Sequence, residues 1–262
     1  MFKFSEMTPQ DKATIMEHLE DLRKALLVSI IAIVIAAIAC FFYSNQILAI
    51  LQEPLTSLGL KLNYTDVTEP FFVQLKVALI AGLVIAFPIV MWQVWKFIAP
   101  ALYPKERKTV VILFPIIIIL FLGGVAFSYF GLLKLILLFF VQTAPSLQAV
   151  ITINNYLSFV LAFTIPFGVV FELPVVVYFL TRLGLITPEW LSRNRKYALL
   201  IIFVLSAILT PGGNPIPQIL MALPVYFLYE ISILVSKLSR PKKIEDQDNA
   251  DNGGDESAEA KV

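Results

Sequence analysis

Apolar residues in this chain come in long unbroken blocks separated by short polar or charged stretches, with no strand-like alternation. A helix needs about 20 apolar residues to cross the roughly 30 Å of bilayer hydrocarbon. On that scale the blocks predict spans at about 25–43, 70–97, 109–130, 155–180, 197–209 and 218–235. Ahead of the first, Thr8 is placed to cap a helix, Pro9 suits its first turn and Asp11 sits where a capping-box acid would. Ile15, Leu19, Leu22 and Leu26 then share one helical face, so 9–24 reads as an amphipathic lead-in lying on the membrane surface.

The stretches between the blocks are read as follows. Residues 44–69 form a polar loop broken by Pro54, Gly59 and Pro70. Charged loops follow at 100–108 and 181–196, and Thr210-Pro211-Gly212-Gly213-Asn214-Pro215 is a sharp turn. Residues 132–141 are apolar but too few to span, and carry Lys134. They predict an extension of the third span or an interfacial helix, ended at Pro145. The fifth span is only about 20 Å long at 1.5 Å per residue, and the sixth is also short. Both must thin the bilayer locally or leave polar surface near its middle. Pro88 in the second span, Pro166 and Pro174 in the fourth and the proline of the sixth should bend their helices. The fold class is therefore all-α: a polytopic integral membrane protein with six transmembrane helices, bent and concave. Residues 1–24 form the cytoplasmic amphipathic segment, 25–236 the transmembrane domain, and 237–262 a disordered cytoplasmic tail.

Composition agrees. Hydrophobic residues make up 58% and mean hydropathy is +0.83, more apolar surface than a soluble domain can cover. Sixteen of the 20 lysines and arginines lie before the first span, around the loop after the second, in the loop after the fourth or just past the sixth, four at each place. Lys61, Lys76 and Lys134 fall on the opposite side, and Lys261 is at the tail end. The positive-inside rule then puts both termini in the cytoplasm. A long charged segment precedes the first apolar run and no small-residue cleavage site follows it, so no cleavable signal is expected and a bacterial inner membrane is the simplest home. A net charge of +1 without an aromatic-interleaved basic patch offers nothing to nucleic acid. Cys40 is the only cysteine and His18 the only histidine, which leaves no disulfide, no metal spacing and no cofactor expected.

Candidate chemistry rests on acids. Glu172 lies inside the fourth span, where an ionised side chain costs about 2.5–3.5 kcal/mol. It either offers a polar contact to a partner or client helix, or sits protonated against a carbonyl freed near Pro166 or Pro174. Glu17, Glu20, Asp21 and Glu106 lie among cytoplasmic cations. They are either ordinary solvated charges or, in pairs, bidentate acceptors for guanidinium. Trp95, Phe97, Pro100 and Tyr103 cluster at the cytoplasmic end of the second span, as an interfacial aromatic belt would. Glu230 would snorkel or pair with Lys237.

Several of these stretches resemble the TatC family. His18-Leu19-Glu20-Asp21-Leu22-Arg23 is similar to its HLxELR signature, Glu69-Pro70-Phe71-Phe72 to its PFF segment, and Phe97-Ile98-Ala99-Pro100-Ala101-Leu102-Tyr103 with Glu106-Arg107 to its FIAPALYxxER loop. Phe167-Gly168 with Phe171-Glu172-Leu173-Pro174 resembles its fourth-helix FG and FExP, and Leu209-Thr210-Pro211 also matches. The resemblance covers about residues 12–240. It implies the receptor core of a translocase that exports folded proteins bearing twin-arginine signal peptides, without ATPase activity. Transport would draw on the proton-motive force with the single-span partners TatA and TatB, in a larger complex with homo-oligomeric contacts. Asp21 and Glu106 would hold the arginine pair, Phe97 would line the same patch, and Arg23 would help order it. Glu172 would be the intramembrane polar group, and Pro54, Phe71 and Phe72 would serve assembly or transport. Asp21 stands where the family usually has Glu, so Glu20 beside it could share or take the role. The turn after Pro211 has Gly-Gly-Asn where an acid is common. A proton-coupled secondary transporter of a small solute is the runner-up, because broken helices and a buried carboxylate fit that class. An intramembrane enzyme lacks a Ser/His or HExxH constellation, and a scaffold role fits the residues as well.

Overall fold

The computed structural model describes residues 9–98, 107–143, 150–210 and 215–239. Its helices are α1 (Pro9–Phe42), α2 (Ser44–Thr56), α3 (Glu69–Ile98), α4 (Arg107–Ala126), α5 (Lys134–Thr143), α6 (Ile153–Val170), α7 (Leu173–Arg182), α8 (Pro188–Arg193), α9 (Arg195–Leu209) and α10 (Pro215–Ser239). Among the described residues, five stretches are long and apolar enough to cross a membrane: His18–Phe42, Glu69–Ile98, Leu113–Thr143, Ile153–Arg182 and Pro215–Ser239. Helix α9 has 15 residues, about 22 Å at 1.5 Å per residue. The chain divides into two compact units: one runs to Ile118 and takes in Val141–Leu161, while the other holds Ile119–Phe140 and everything from Ala162.

In the first unit, the lead-in and the first span are one helix of 34 residues starting at Pro9. Helices α1 and α3 run antiparallel, since Ala37 meets Gly82 while His18 meets Phe97. The crossing is close: a Cβ on Gly82 would lie 2.5 Å from the Ala37 nitrogen and 2.6 Å from its Cα. Small residues allow this approach, and lipid-embedded helices gain their contact from such packing because hydrocarbon supplies no hydrophobic drive between them.

Residues 44–69 are not simply a polar loop, for α2 occupies 13 of them. Leu48, Leu51 and Leu55 fall on one face at helical spacing and Leu55 is fully buried, a signal that the polar neighbours obscured. Pro54 sits in the last turn, where Ser57 closes the helix through its side chain onto the Pro54 carbonyl at 3.1 Å. Gly59 then turns the chain at φ +76°. The short strand β1 (Leu62–Asn63) pairs in parallel with β2 (Ile151–Thr152). Polar side chains secure the same end. Glu69 accepts from the Thr65 backbone N–H at 2.8 Å and the Asn154 N–H at 3.1 Å, and Lys76 donates to Asn154 Oδ1 at 2.8 Å and Ser158 Oγ at 3.1 Å. Tyr156 donates to the Leu51 carbonyl at 2.8 Å.

Residues 132–141, all but the last in the second unit, extend the third span. A seven-residue π-helical segment, Phe127–Leu133, joins α4 to α5, the wider turn that single inserted residues produce in helices. The fourth span breaks at Phe171-Glu172, past Pro166. Pro174 therefore starts α7 rather than bending a helix, because the first helical turn needs no N–H donor. Gly124 and Gly168 make a reciprocal contact between α4 and α6. A Cβ on Gly124 would lie 2.6 Å from the Phe167 carbonyl oxygen, and one on Gly168 would lie 2.7 Å from the Phe121 ring.

Helices α7 and α10 are joined by a buried Thr181–Ser236 hydroxyl pair at 2.7 Å, and Val177, Leu191 and Ile233 form a small core with α8. Thr187 caps α8 by accepting from the Trp190 N–H at 3.2 Å. Glu230 does not pair with Lys237. Arg195 donates to it at 2.9 Å and Tyr226 O–H donates at 2.9 Å, because the start of α9 lies level with Glu230 on α10. Helix α10 continues to Ser239, three residues into the segment expected to be a tail. Thr8, the loop residues 99–106, Pro145, the turn 211–214 and residues 240–262 lie outside the described residues.

Gly82→Ala should force α1 and α3 apart and destabilise the protein by about 1–3 kcal/mol. Gly123→Ala, with nothing within 4 Å of the new Cβ, should be neutral or mildly stabilising. Thermal unfolding of both variants in detergent checks this, and equal midpoints would refute the close crossing.

Candidate functional site

The acids of α1 do not share one environment. Asp21, Lys24, Ala25 and Val28 on α1 line a cavity of about 320 Å³ together with Gln93, Lys96 and Phe97 on α3. Residues 21, 25 and 28 recur on the α1 face that meets α3, as helical periodicity requires. Glu20 points elsewhere, forming an ion pair with Lys24 at 3.0 Å across one turn. Both side chains are well over half exposed, so that pair adds little to stability. Arg23 does not line the cavity either. Asp21 is thus the one carboxylate among the described lining residues, beside two ammonium groups. Glu106 lies outside the described residues, as do Pro100 and Tyr103.

Phe97 is half-buried. His18, one turn before Asp21, stacks on its ring with centroids 4.2 Å apart and planes 19° from parallel. Sequence reasoning missed this pairing. The signal was present as an aromatic nitrogen ring three residues ahead of an acid on one helical face, but its partner lies 79 positions away. The site can therefore offer a carboxylate, an aromatic wall and flanking ammonium groups within one helix–helix groove.

Glu172 stands at the α6–α7 break as the residue preceding α7, with φ −78° and ψ −11°. It is 6% exposed, and neither carboxylate oxygen has a hydrogen-bond partner. The Phe121 backbone N–H interacts with the carboxylate short of hydrogen-bond geometry. Its surroundings are aromatic. Phe121 and Phe167 are almost fully buried, and Phe127 lies 5.6 Å from Phe171 and 6.2 Å from Phe167, centroid to centroid. The break itself puts the acid there, since Phe171 and Glu172 donate to the Phe167 and Val169 carbonyls in a tightened last turn.

Pro54 is buried in α2, whereas Phe71 and Phe72 stand 57% and 60% exposed at the start of α3, edge to face at 5.8 Å. Among the described residues no group of three or more His, Cys, Asp or Glu side chains is placed to hold a metal.

Comparison with known proteins completes the picture. The family model described as Sec-independent protein translocase protein (TatC) matches residues 17–224. The translocase protein TatC of Carboxydothermus hydrogenoformans is 48% identical over 88% of this chain and 95% of its own length. TatC of Escherichia coli K12 is 38% identical over 88% of this chain and 91% of its own. A crystal structure of the twin arginine translocase receptor TatC superposes with a TM-score of 0.78 at 39% identity, covering 85% of this chain and 99% of that one. With the fold, the helix order and most of the length shared, the chain belongs to the TatC family of Sec-independent protein translocase proteins.

Proposed function

We propose that this chain, as a TatC protein, is the receptor core of the twin-arginine translocation system. It binds the arginine pair of signal peptides at the cytoplasmic mouth of the α1–α3 groove. The observation that carries the reading is the cavity that brings Asp21 and Phe97 together, in a chain that belongs to this family. A guanidinium is planar and presents paired donors, so a carboxylate beside an aromatic wall suits it better than it suits a lysine ammonium. Asp21 holds one arginine and Glu106 the other. Asp21 is favoured over Glu20 because Asp21 lines the groove while Glu20 does not and is paired with Lys24. The aspartate's shorter reach matters little where α3 comes close. Arg23 acts from outside the cavity, by balancing the acids of α1.

In this reading the protein sits in the bacterial inner membrane with six spans, counting short α9, and with both termini in the cytoplasm. It is a receptor and conduit rather than an enzyme. Export of folded precursors draws on the proton-motive force and on TatA and TatB, and copies of the chain associate within the larger complex. Glu172 supplies the intramembrane polar contact: its covered, unpartnered oxygens are relieved when a partner helix brings a donor to the α6–α7 break. Pro54, Phe71 and Phe72 belong to the opposite face, where the two exposed aromatic rings are available for assembly contacts. A proton-coupled solute transporter gains nothing here, since the relatives named above are protein translocase proteins.

Three outcomes are expected. Asp21→Asn should weaken binding of a twin-arginine leader by about ten-fold or more, as losing a charge-assisted hydrogen bond does, whereas Glu20→Gln should change it less than about two-fold. Titration of labelled leader against full-length protein in nanodiscs measures both, and the reverse ranking would assign the role to Glu20. Glu106→Gln should abolish photocrosslinking to the leader with membrane insertion intact, and unchanged crosslinking would remove Glu106 from the site. Glu172→Ala should insert normally yet lower export of a folded reporter several-fold, and full export would make that residue structural only.

A further inference from the structure

Resting on the reading of the groove as the arginine-pair site, we propose that His18 is a positioning residue. It holds Phe97 as a flat platform on which one guanidinium stacks, and so makes the site prefer arginine to lysine. The argument starts from where His18 stands. Its side chain is exposed on α1, and it makes no hydrogen bond or ion pair with a described residue. Burial therefore does not fix its rotamer; the stack on Phe97, at 4.2 Å and 19°, does.

That stack covers one face of the Phe97 ring, and Phe97 also lines the cavity with Asp21. An unsupported phenyl ring at the end of α3 could turn about its side-chain torsions, and a second ring against its outer face restrains that motion. His18 precedes Asp21 by three residues, so the support and the carboxylate rise from the same helical face, one turn apart.

A guanidinium can accept both features at once. It donates in its plane to a carboxylate while its weakly hydrated face lies on an aromatic ring. An ammonium takes the carboxylate but keeps its hydration shell and gains less from a flat surface. The carboxylate thus contributes to both leaders, and the platform discriminates between them. Imidazole suits the supporting role because its edge stays in water at this exposed position while its face packs on the phenyl ring.

The test uses full-length protein in nanodiscs and two labelled leader peptides, identical except that one carries paired arginines and the other paired lysines. His18→Ala should weaken the arginine leader by about five-fold, the scale of one aromatic or cation–π contact, and leave the lysine leader within about two-fold. His18→Phe should restore the arginine leader to within about two-fold of the native protein, because it returns a ring without the imidazole nitrogens. Equal losses for both leaders in His18→Ala would overturn the proposal, as would failure of His18→Phe to rescue. An Asp21→Asn arm separates the two levels. If that change weakens both leaders while His18 leaves their ratio alone, only the platform falls. If it weakens neither, the groove is not the arginine-pair site.

Discussion

Gly82 lets the backbone of α3 lie against that of α1 at Ala37, and the groove at the His18–Phe97 end of the pair depends on that crossing. From Gly82 to Phe97 is 15 residues, about 22 Å along α3. A Cβ at the crossing would displace the far ends of two rigid helices that meet again at His18 and Phe97. In lipid there is no water to expel from between helices, so shape at a few small residues does the work that apolar burial does in a soluble core. The same device recurs in the second unit, where Gly124 and Gly168 each receive an aromatic residue of the facing helix. That contact packs phenylalanines around the α6–α7 break, which leaves Glu172 covered.

Polar groups are distributed by the same constraint. Backbone in hydrocarbon must satisfy its own hydrogen bonds, which helices do. The side chains that remain polar find neighbours or stay at the ends. Glu69, Lys76, Asn154 and Ser158 share one network at the start of α3 and α6. Arg195, Glu230 and Tyr226 share another between α9 and α10, and Thr181 meets Ser236. The oxygens of Glu172, like Ser128 Oγ, are buried without a hydrogen-bond partner. A group left unsatisfied in this setting costs free energy until something comes to meet it.

Much of the architecture was legible in advance. The helical character of the long apolar blocks and the brevity of α9 follow from local hydropathy and turn chemistry, and of the two readings offered for residues 132–141 the structure has the extension of the third span. The family followed from five short motifs in order, and the comparisons bear that out. The misses were of another kind. Helix α2 hid behind polar neighbours, although Leu48, Leu51 and Leu55 kept its period. Pro174 read as a kink and proved to be a helix start. Glu230 read as snorkelling or as a partner of nearby Lys237, and it pairs with Arg195, 35 positions away.

What the residues determined alone was that the long apolar segments are helical, because in a membrane each helix satisfies its backbone within itself and needs no distant partner. What only the tertiary structure decided was the pairing of side chains: Asp21 into the groove and Glu20 onto Lys24, His18 onto Phe97, and Arg195 to Glu230. Those pairings depend on how each helix is rotated and where it crosses its neighbour. Contacts between glycines and distant residues set both, and local periodicity carries no record of them.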